Sequence, residues 1–278
     1  MKIWHRVTFH RLDKVDEILN ALAIDYEKSP LPGGSYILTF DIDEDDLLWP
    51  EIKRLMLEKG KSDYSGFVYT TFEKDEILSG EWVRLCPGFE RYYPQPKRNM
   101  NYVKDTFRKK CSSCGLEFVQ KAPFRIKKEA KLGKYDFVSL HWTYAIFATQ
   151  QVVDKVKAAG LKGIEVWPVM LHRENRPSDV ISQLLFSHVS EPSLDDREKL
   201  DPEPCSECGV TKYAFHKRGY MHLKRAALRN DVDAQHTYEW FGSGTKWGFQ
   251  EILISNRFAR MIIEEGWKGV VLKPVKLT

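Results

Sequence analysis

The 278-residue sequence has no apolar run long enough to cross a membrane, and its first residues do not form the apolar stretch of a secretion signal. It contains five cysteines, too few for disulfides to replace a hydrophobic core in a chain of this length. The formal net charge of +4 is too small to indicate nucleic-acid binding by itself. These absences, together with 42% hydrophobic residues, predict a cytosolic protein that folds around its own core.

Motifs typical of several enzyme classes are also absent. The eight histidines include no H-E-x-x-H pair that would bind a catalytic zinc ion, and residues 241–246 lack the spacing of a phosphate-binding loop. No serine, histidine and acid can be grouped into a catalytic triad from the sequence. We therefore expect a protein without catalysis of its own.

Hydrophobic patterns and connectors predict two regions, residues 1–86 and residues 87–278. In the first, the i, i+3, i+4, i+7 spacing of apolar residues from Val15 to Leu22 predicts a helix, and residues 73–83 are predicted to form another. A segment rich in proline and tyrosine, residues 87–96, then predicts a connector.

The second region contains a weak internal repeat. Residues 160–171 align with residues 266–277, and six of the twelve aligned positions are identical. The same alignment places Thr149 on Ser255, each at a position suited to the start of a helix. Each copy predicts a strand, a helix that ends at glycine, a Lys-Gly turn and a second strand. The predicted fold is α+β, with mixed sheets, short helices and two pseudo-repeated strand-helix-strand units.

Four of the cysteines form two C-x-x-C-G turns: Cys111, Cys114, Cys205 and Cys208. In a chain without a secretion signal, such pairs favour a metal site over disulfides. Two tight turns can supply four thiolates, the tetrahedral set that suits a structural Zn²⁺ ion and leaves no open position for water. We expect both turns to share one zinc ion that joins the two units, although about 90 residues separate the pairs.

Other interpretations of the cysteines remain open at this point. The pairs could form two separate sites completed by histidines such as His141 or His216, act in redox chemistry, or remain structural free thiols. The fifth cysteine, Cys86, is expected to be a buried apolar residue.

Charge is distributed unevenly along the chain. Residues 1–80 carry ten basic against sixteen acidic side chains, and residues 81–135 carry fourteen against five. The basic stretch around the first cysteine pair comprises Arg108, Lys109, Lys110, Lys121, Arg125, Lys127, Lys128, Lys131 and Lys134, with Phe107, Phe118 and Phe124 among them. Basic and aromatic residues together are typical of single-stranded nucleic-acid binders, so a zinc-ribbon nucleic-acid-binding protein is the alternative function. Acidic residues around the second pair argue against it: Asp201, Glu203 and Glu207.

Several segments in a fixed order resemble the bacterial double-CXXCG motif proteins. The resemblance covers residues 81–278 and lies in both cysteine turns and in residues 92–96, 120–125, 239–244 and 268–275. It implies that Cys111, Cys114, Cys205 and Cys208 are the metal ligands.

The resemblance also implies a function. Proteins of this family are grouped among immunity proteins of polymorphic and contact-dependent toxin systems, which bind and neutralise a cognate toxin. For this chain it implies a zinc-binding immunity protein whose partner is a toxin protein, for example a basic nuclease. The candidate surface for such a basic partner is an acidic stretch: Asp41, Asp43, Glu44, Asp45 and Asp46.

Overall fold

A computed structural model describes residues 1–60, 66–108, 111–114, 116, 119–242 and 248–278. The chain forms two compact units. The first comprises Met1–Glu73 and Lys217–Gly219, and the second comprises Lys74–His216 and Tyr220–Thr278. Both contain strands and helices, as predicted for an α+β fold. The N-terminal segment of the first unit ends at Glu73, and Lys217–Gly219 completes that unit.

The first unit is an antiparallel sheet with two helices. Its elements are β1 (Lys2–His10), α1 (Asp16–Ala21), β2 (Glu27–Leu31), β3 (Ser35–Asp43), α2 (Trp49–Glu58) and β4 (Gly66–Thr71). The strands lie in the order β2-β3-β1-β4. Alternate residues of β1 point to the core, where Val7 and Phe9 are fully buried against Leu19 of α1 and Ile52 of α2. The helix predicted from Val15 to Leu22 is confirmed as α1.

The second unit contains two further sheets and four helices among its described residues. Its first elements are α3 (Lys74–Ser79), β5 (Trp82–Pro87), α4 (Tyr102–Thr106), β6 (Arg125–Ile126), β7 (Phe137–Val138), β8 (Ile146–Thr149), α5 (Gln150–Ala158), β9 (Ile164–Leu171) and β10 (Pro177–Phe186). Its later elements are β11 (Pro202–Pro204), β12 (Thr211–Tyr213), β13 (Met221–Leu223), β14 (Ala234–Phe241), β15 (Phe249–Ser255), α6 (Asn256–Glu264) and β16 (Val270–Leu277). The sheet orders are β6-β9-β10-β8-β7 and β11-β12-β14-β15-β5-β16-β13.

The helix predicted over residues 73–83 is correct only in its first part. α3 ends at Ser79, and Trp82 begins β5. From Trp82 to Leu85 every residue is buried, as expected for a strand that is covered on both faces and pairs with β15 and β16.

The two predicted repeat units are present as β8-α5-β9 and β15-α6-β16. In each repeat unit the two strands flank a third strand that runs antiparallel to both. This third strand is β10 for β8-α5-β9 and β5 for β15-α6-β16. β10 follows its unit in sequence, whereas β5 precedes its unit. The two helices bury their apolar faces in one shared core, through residues such as Val152 and Phe258.

The helix starts of the two units differ. Ser255 caps α6, because its hydroxyl accepts a hydrogen bond from the backbone N–H of Phe258 at 3.3 Å. Thr149 occupies the equivalent position before α5 but makes no side-chain capping bond. Its hydroxyl is buried without a hydrogen-bond partner. Thr149 therefore precedes α5 at the predicted position, but the predicted capping by its side chain is wrong.

The Lys-Gly turn of each repeat unit contacts the segment that precedes the other repeat unit in sequence. The carbonyl oxygen of Lys268 accepts hydrogen bonds from the N–H groups of Asp136 and Phe137, both at 2.9 Å, and the Asp136 carboxylate accepts one from the Lys268 N–H at 2.8 Å. Lys162 and Asp233 make the corresponding contacts, with the Lys162 N–H 2.9 Å from the Asp233 carboxylate. The two turns therefore make equivalent backbone hydrogen bonds.

Glycine is required in both turns because the opposite backbone approaches so closely. A Cβ atom at Gly269 would lie 2.1 Å from the carbonyl oxygen of Phe137, and one at Gly163 would lie 2.3 Å from that of Ala234. Both glycines also have positive φ angles, +110° and +83° respectively.

Candidate metal centre

The four cysteines of the C-x-x-C-G turns lie in two loops of the second unit. Cys111 and Cys114 follow α4, and Cys205 and Cys208 lie between β11 and β12. The two turns have the same closure: the N–H of the first cysteine donates to the carbonyl five residues later, at 3.2 Å in the Cys111 turn and 3.0 Å in the Cys205 turn. Gly209 has a φ angle of +73°, which lets the chain reverse after Cys208. Gly115, its counterpart, lies outside the described residues.

The sulfur atoms converge as the sequence predicts. All four Sγ atoms lie within 4.8 Å of one another. The Cys111–Cys205 and Cys114–Cys208 sulfur pairs are 3.8 and 3.5 Å apart, much longer than the roughly 2 Å of a disulfide bond. The four cysteines therefore form a group suited to a metal ion, which we call the cysteine cluster.

Burial and backbone hydrogen bonds shift the pKa values of Cys114 and Cys205 in opposite directions. Burial raises the pKa of Cys114 to about 12. The backbone N–H groups of Cys208 and Glu207 lower the pKa of Cys205 to about 7. Because a metal ion binds thiolates, loading this cluster would displace protons, and metal affinity would depend on pH.

Apolar and polar contacts enclose the cluster. Leu116, Val210 and Trp240 pack around the cysteines. The Ser112 hydroxyl, in the first turn, donates to both carboxylate oxygens of Glu207, in the second, at 3.1 Å. The hydroxyls of Ser113 and Ser112 hold the pKa of Glu207 below its usual value. These hydrogen bonds link the two turns directly.

Neither histidine considered as an additional ligand belongs to the cluster. His141 lies 3.5 Å from a carboxylate oxygen of Glu90, and His216 lies between Arg84 and Glu198. In the part of the chain that the structure describes, the four cysteines are the one group of three or more histidine, cysteine, aspartate or glutamate side chains close enough to share an ion. The set is all sulfur, which suits a structural rather than a catalytic metal.

The candidate acidic surface lies in the first unit, where much of its charge is paired internally. Asp41 forms a two-point ion pair with Arg6 at 2.9 Å, and Asp43 lies 3.4 Å from the Lys2 ammonium group. Glu44 accepts from His5 at 2.8 Å and from Arg218 at 2.6 Å; the bond from Arg218 lowers its pKa. The remaining two acids, Asp45 and Asp46, are exposed, and Asp46 accepts a hydrogen bond from the Leu48 N–H at 2.8 Å.

Two of the three phenylalanines in the basic stretch are described, and both pack against neighbouring rings. Phe124 is 2% exposed and packs edge-on against Phe147, and Phe107 is half-buried against Phe124. Stacking on bases would require exposed ring faces. Lys109, Lys110 and Phe118 lie outside the described residues, as do residues 243–246 of the glycine-rich loop.

The sequence gives no signal for a buried polar network beside the core of the second unit. Arg84 pairs with Glu251, and the Tyr144 hydroxyl donates to the same carboxylate at 2.8 Å. The Arg84 side chain also donates to His216 at 3.2 Å, and His216 lies 3.3 Å from Glu198. These residues are far apart in sequence, so no spacing could have predicted their contact.

A cavity of about 570 Å³ lies beside this network. Its lining includes Phe107, Trp142, Tyr144, Phe215, Trp240 and Phe249. A cavity of this size with aromatic walls suits an apolar group.

Comparison with known proteins adds no identification: no family model matches the chain, and neither does any curated protein. In the described part of the chain, no helix is long and apolar enough to span a membrane.

Proposed function

We propose that this protein is a zinc-binding immunity protein that neutralises a cognate bacterial toxin by stoichiometric binding, without catalysis. The observation that carries the proposal is the convergence of Cys111, Cys114, Cys205 and Cys208 into one cluster. The double-CXXCG proteins that the sequence resembles have both turns, and a shared site gives those turns a common purpose.

Zinc is the ion that best fits the cluster. Tetrahedral zinc with four thiolates has Zn–S distances of about 2.3 Å, which place the sulfurs about 3.8 Å apart. The Cys114–Cys208 and Cys111–Cys205 sulfur separations of 3.5 and 3.8 Å agree with that geometry. When bound, the ion would hold together two loops that are distant in sequence. Its binding free energy, of the order of 10 kcal/mol, would then contribute to folding.

Zinc analysis tests the first part of the proposal. We expect about one zinc per chain by elemental analysis. The cobalt-substituted protein should have the absorption spectrum of four sulfur ligands. A Cys208→Ser variant should lose the metal, and Cys86→Ser, outside the cluster, should retain it. Zinc-free protein that does not take up zinc or cobalt would contradict this part, and a spectrum with an oxygen or nitrogen ligand would favour a zinc enzyme.

Co-expression tests the second part. The upstream neighbouring reading frame should encode a protein that kills cells unless this chain is present. The two proteins should purify as a stoichiometric complex. A neighbouring product that is harmless, or that kills cells equally in the presence of this chain, would contradict the proposal. Steeply salt-dependent binding of the purified chain to RNA or DNA would instead favour the nucleic-acid alternative.

The acidic stretch is the candidate surface for a basic toxin because complementary charge accelerates association. Asp45 is exposed, and its side chain forms no ion pair with any residue that the structure describes, so its charge can be reversed. An Asp45→Lys variant should associate more slowly with the toxin. Asp196→Lys serves as a charge-reversal control in the other unit, because its side chain is 97% exposed and the ion pair that it loses, with Lys224 at 3.4 Å, is itself exposed and weak. Equal association rates for the two variants would exclude the acidic stretch.

A further inference from the structure

The cavity of the second unit lies between strands of its two sheets. Gln183 and Phe186 of β10 line it from the five-stranded sheet, and His236 of β14 and Phe249 of β15 line it from the seven-stranded sheet. Its volume is about 570 Å³, whereas a cavity of about 150 Å³ already holds one benzene ring. The cavity therefore has room for a molecule of about two fused rings.

Contacts among the aromatic side chains of the wall keep the cavity open. The rings of Tyr144 and Phe249 stack with their centroids 3.7 Å apart, and Phe215 stacks on Phe249 at 5.7 Å. The Tyr144 hydroxyl donates to the buried Glu251 carboxylate at 2.8 Å, which fixes its ring. Turning these rings into the cavity would break the contacts. A wall of fixed aromatic rings is complementary to a planar aromatic molecule.

The charge of the wall disfavours an anionic ligand. The described residues that line the cavity include neither lysine nor arginine, and their one carboxylate belongs to Glu90. The Glu90 side chain is half exposed and lies 3.5 Å from His141. A negatively charged molecule would lose its hydration in this cavity without gaining a cationic partner, whereas an uncharged molecule avoids that penalty.

His236 supplies a polar group in this apolar wall. Its ring lies edge-on to Phe186, with the centroids 5.8 Å apart, and its buried Nδ1 atom has no hydrogen-bond partner among the described residues. Burial lowers the pKa of His236 to about 4, so the imidazole is uncharged near pH 7. An uncharged imidazole has one donor and one acceptor nitrogen, and burial of either without a hydrogen bond is unfavourable. A ligand with an N–H or hydroxyl group can provide a partner for this ring.

We propose that the cavity binds an uncharged planar aromatic molecule that carries an N–H or hydroxyl group. The rings of the ligand lie among the aromatic side chains of the wall, and its polar group forms a hydrogen bond with the His236 imidazole. This site is distinct from the cysteine cluster, although Trp240 borders both. The proposal requires neither the metal nor the toxin proposed above.

Two matched pairs of probes test the class of ligand by equilibrium dialysis at pH 7. Indole and indene have the same shape, but only indole has an N–H group, so we expect indene to bind about 3- to 10-fold more weakly. Indoleacetamide and indoleacetate differ in charge, and we expect the anion to bind about tenfold more weakly or worse. Absence of indole binding, or equal affinities within either pair, would overturn the proposal.

A substitution at His236 tests the hydrogen bond. His236→Phe should lower the affinity for indole to that for indene and leave the affinity for indene unchanged. His172→Phe is the matched control, because the Nδ1 atom of His172 is also buried without a partner among the described residues, but His172 does not line the cavity. Loss of indole binding in both variants, or in neither, would overturn the role of His236.

A variant that fills the cavity keeps the test decisive if His236→Phe does not fold. Leu185 lines the cavity and is half-buried, so Leu185→Trp should occupy part of the space and abolish indole binding. Unchanged binding of indole by Leu185→Trp would place the ligand elsewhere and overturn the proposal. If no probe binds the wild type and Leu185→Trp weakens a complex with the toxin, the cavity accepts a side chain of that partner and the proposal is wrong.

Discussion

The reciprocal Lys-Gly turns predict a large difference between two glycine-to-alanine substitutions that are three residues apart. Gly269 and Gly266 both have positive φ angles, +110° and +66°. At Gly266 no heavy atom lies within 4 Å of the position that a Cβ atom would occupy, whereas at Gly269 the carbonyl oxygen of Phe137 lies 2.1 Å from it. The backbone strain is similar in kind, but only Gly269→Ala also forces two chain segments apart.

The structure sets the size of the effect. A residue other than glycine at a positive φ angle loses about 1–2 kcal/mol of stability, which is the effect we expect for Gly266→Ala. In Gly269→Ala, relieving the clash also weakens the two hydrogen bonds that the Lys268 carbonyl accepts from Asp136 and Phe137, each worth about 1 kcal/mol. We therefore expect Gly269→Ala to lower the free energy of unfolding by about 3–4 kcal/mol.

Urea denaturation of the zinc-loaded protein, followed by circular dichroism and tryptophan fluorescence, measures both values. The comparison is matched because both substitutions add one methyl group to the same segment. Two results would refute the idea that the contacts of the Lys-Gly turns stabilise the protein: equal destabilisation by the two substitutions, or a decrease of less than about 1 kcal/mol in the free energy of unfolding for Gly269→Ala.

Three further predictions concern the metal and the polar network. Chelation of zinc should lower the melting temperature of the wild type markedly and leave a Cys208→Ser variant unaffected, as calorimetry would show; an unchanged wild-type transition would contradict a structural metal. Contacts with His216 and His222 oppose the effect of burial and lower the pKa of Glu198 to about 2. The stabilisation by ionised Glu198 is therefore complete above the ordinary glutamate pKa, near 4.5, and is lost as the pH falls toward 2. Between pH 4.5 and 2, the free energy of unfolding measured by urea titration should therefore fall less steeply in Glu198→Gln than in the wild type. Arg84→Met should lower the free energy of unfolding by about 3–5 kcal/mol because it leaves Glu251 buried without its ion-pair partner, and Arg84→Met with Glu251→Met should recover part of that loss. Full additivity of the two substitutions would argue against the pairing.

The sequence was most informative where the structure is local. The helix from Val15 to Leu22 and the two strand-helix-strand units follow from apolar spacing and from glycines that end helices. The boundary of α3 was missed because the buried run that starts at Trp82 has no alternation to distinguish a strand from a helix. Short apolar runs of this kind become strands only because neighbours on both sides supply hydrogen-bond partners.

Long-range features were predictable only where chemistry restricts the partners. The convergence of the cysteines followed from the need of two thiolate pairs for a common ion, whatever their separation in sequence. No such rule connects Arg84 with Glu251, or Asp41 and Asp43 with Arg6 and Lys2. Each of these side chains could have formed an ion pair with many other charged residues of the chain. Charge counts therefore overstated the acidic surface: the count includes acids that the fold uses internally.

The repeat and the cysteine cluster both bring together segments that are distant in sequence, the first by a shared core and the second by four cysteines. Each repeat unit is too small to bury its helix alone, so the two share one core, and each Lys-Gly turn binds the segment ahead of the other unit. The cysteine turns lie outside that core, in a small separate cluster with Leu116, Val210 and Trp240. A metal ion would provide there the cross-link that burial provides in the core. Loss of the metal should therefore loosen the loops of Cys111 and Cys205 before it disturbs β8-α5-β9 and β15-α6-β16. Hydrogen exchange with and without chelator would detect this order as early loss of protection at the Cys111 and Cys205 amides.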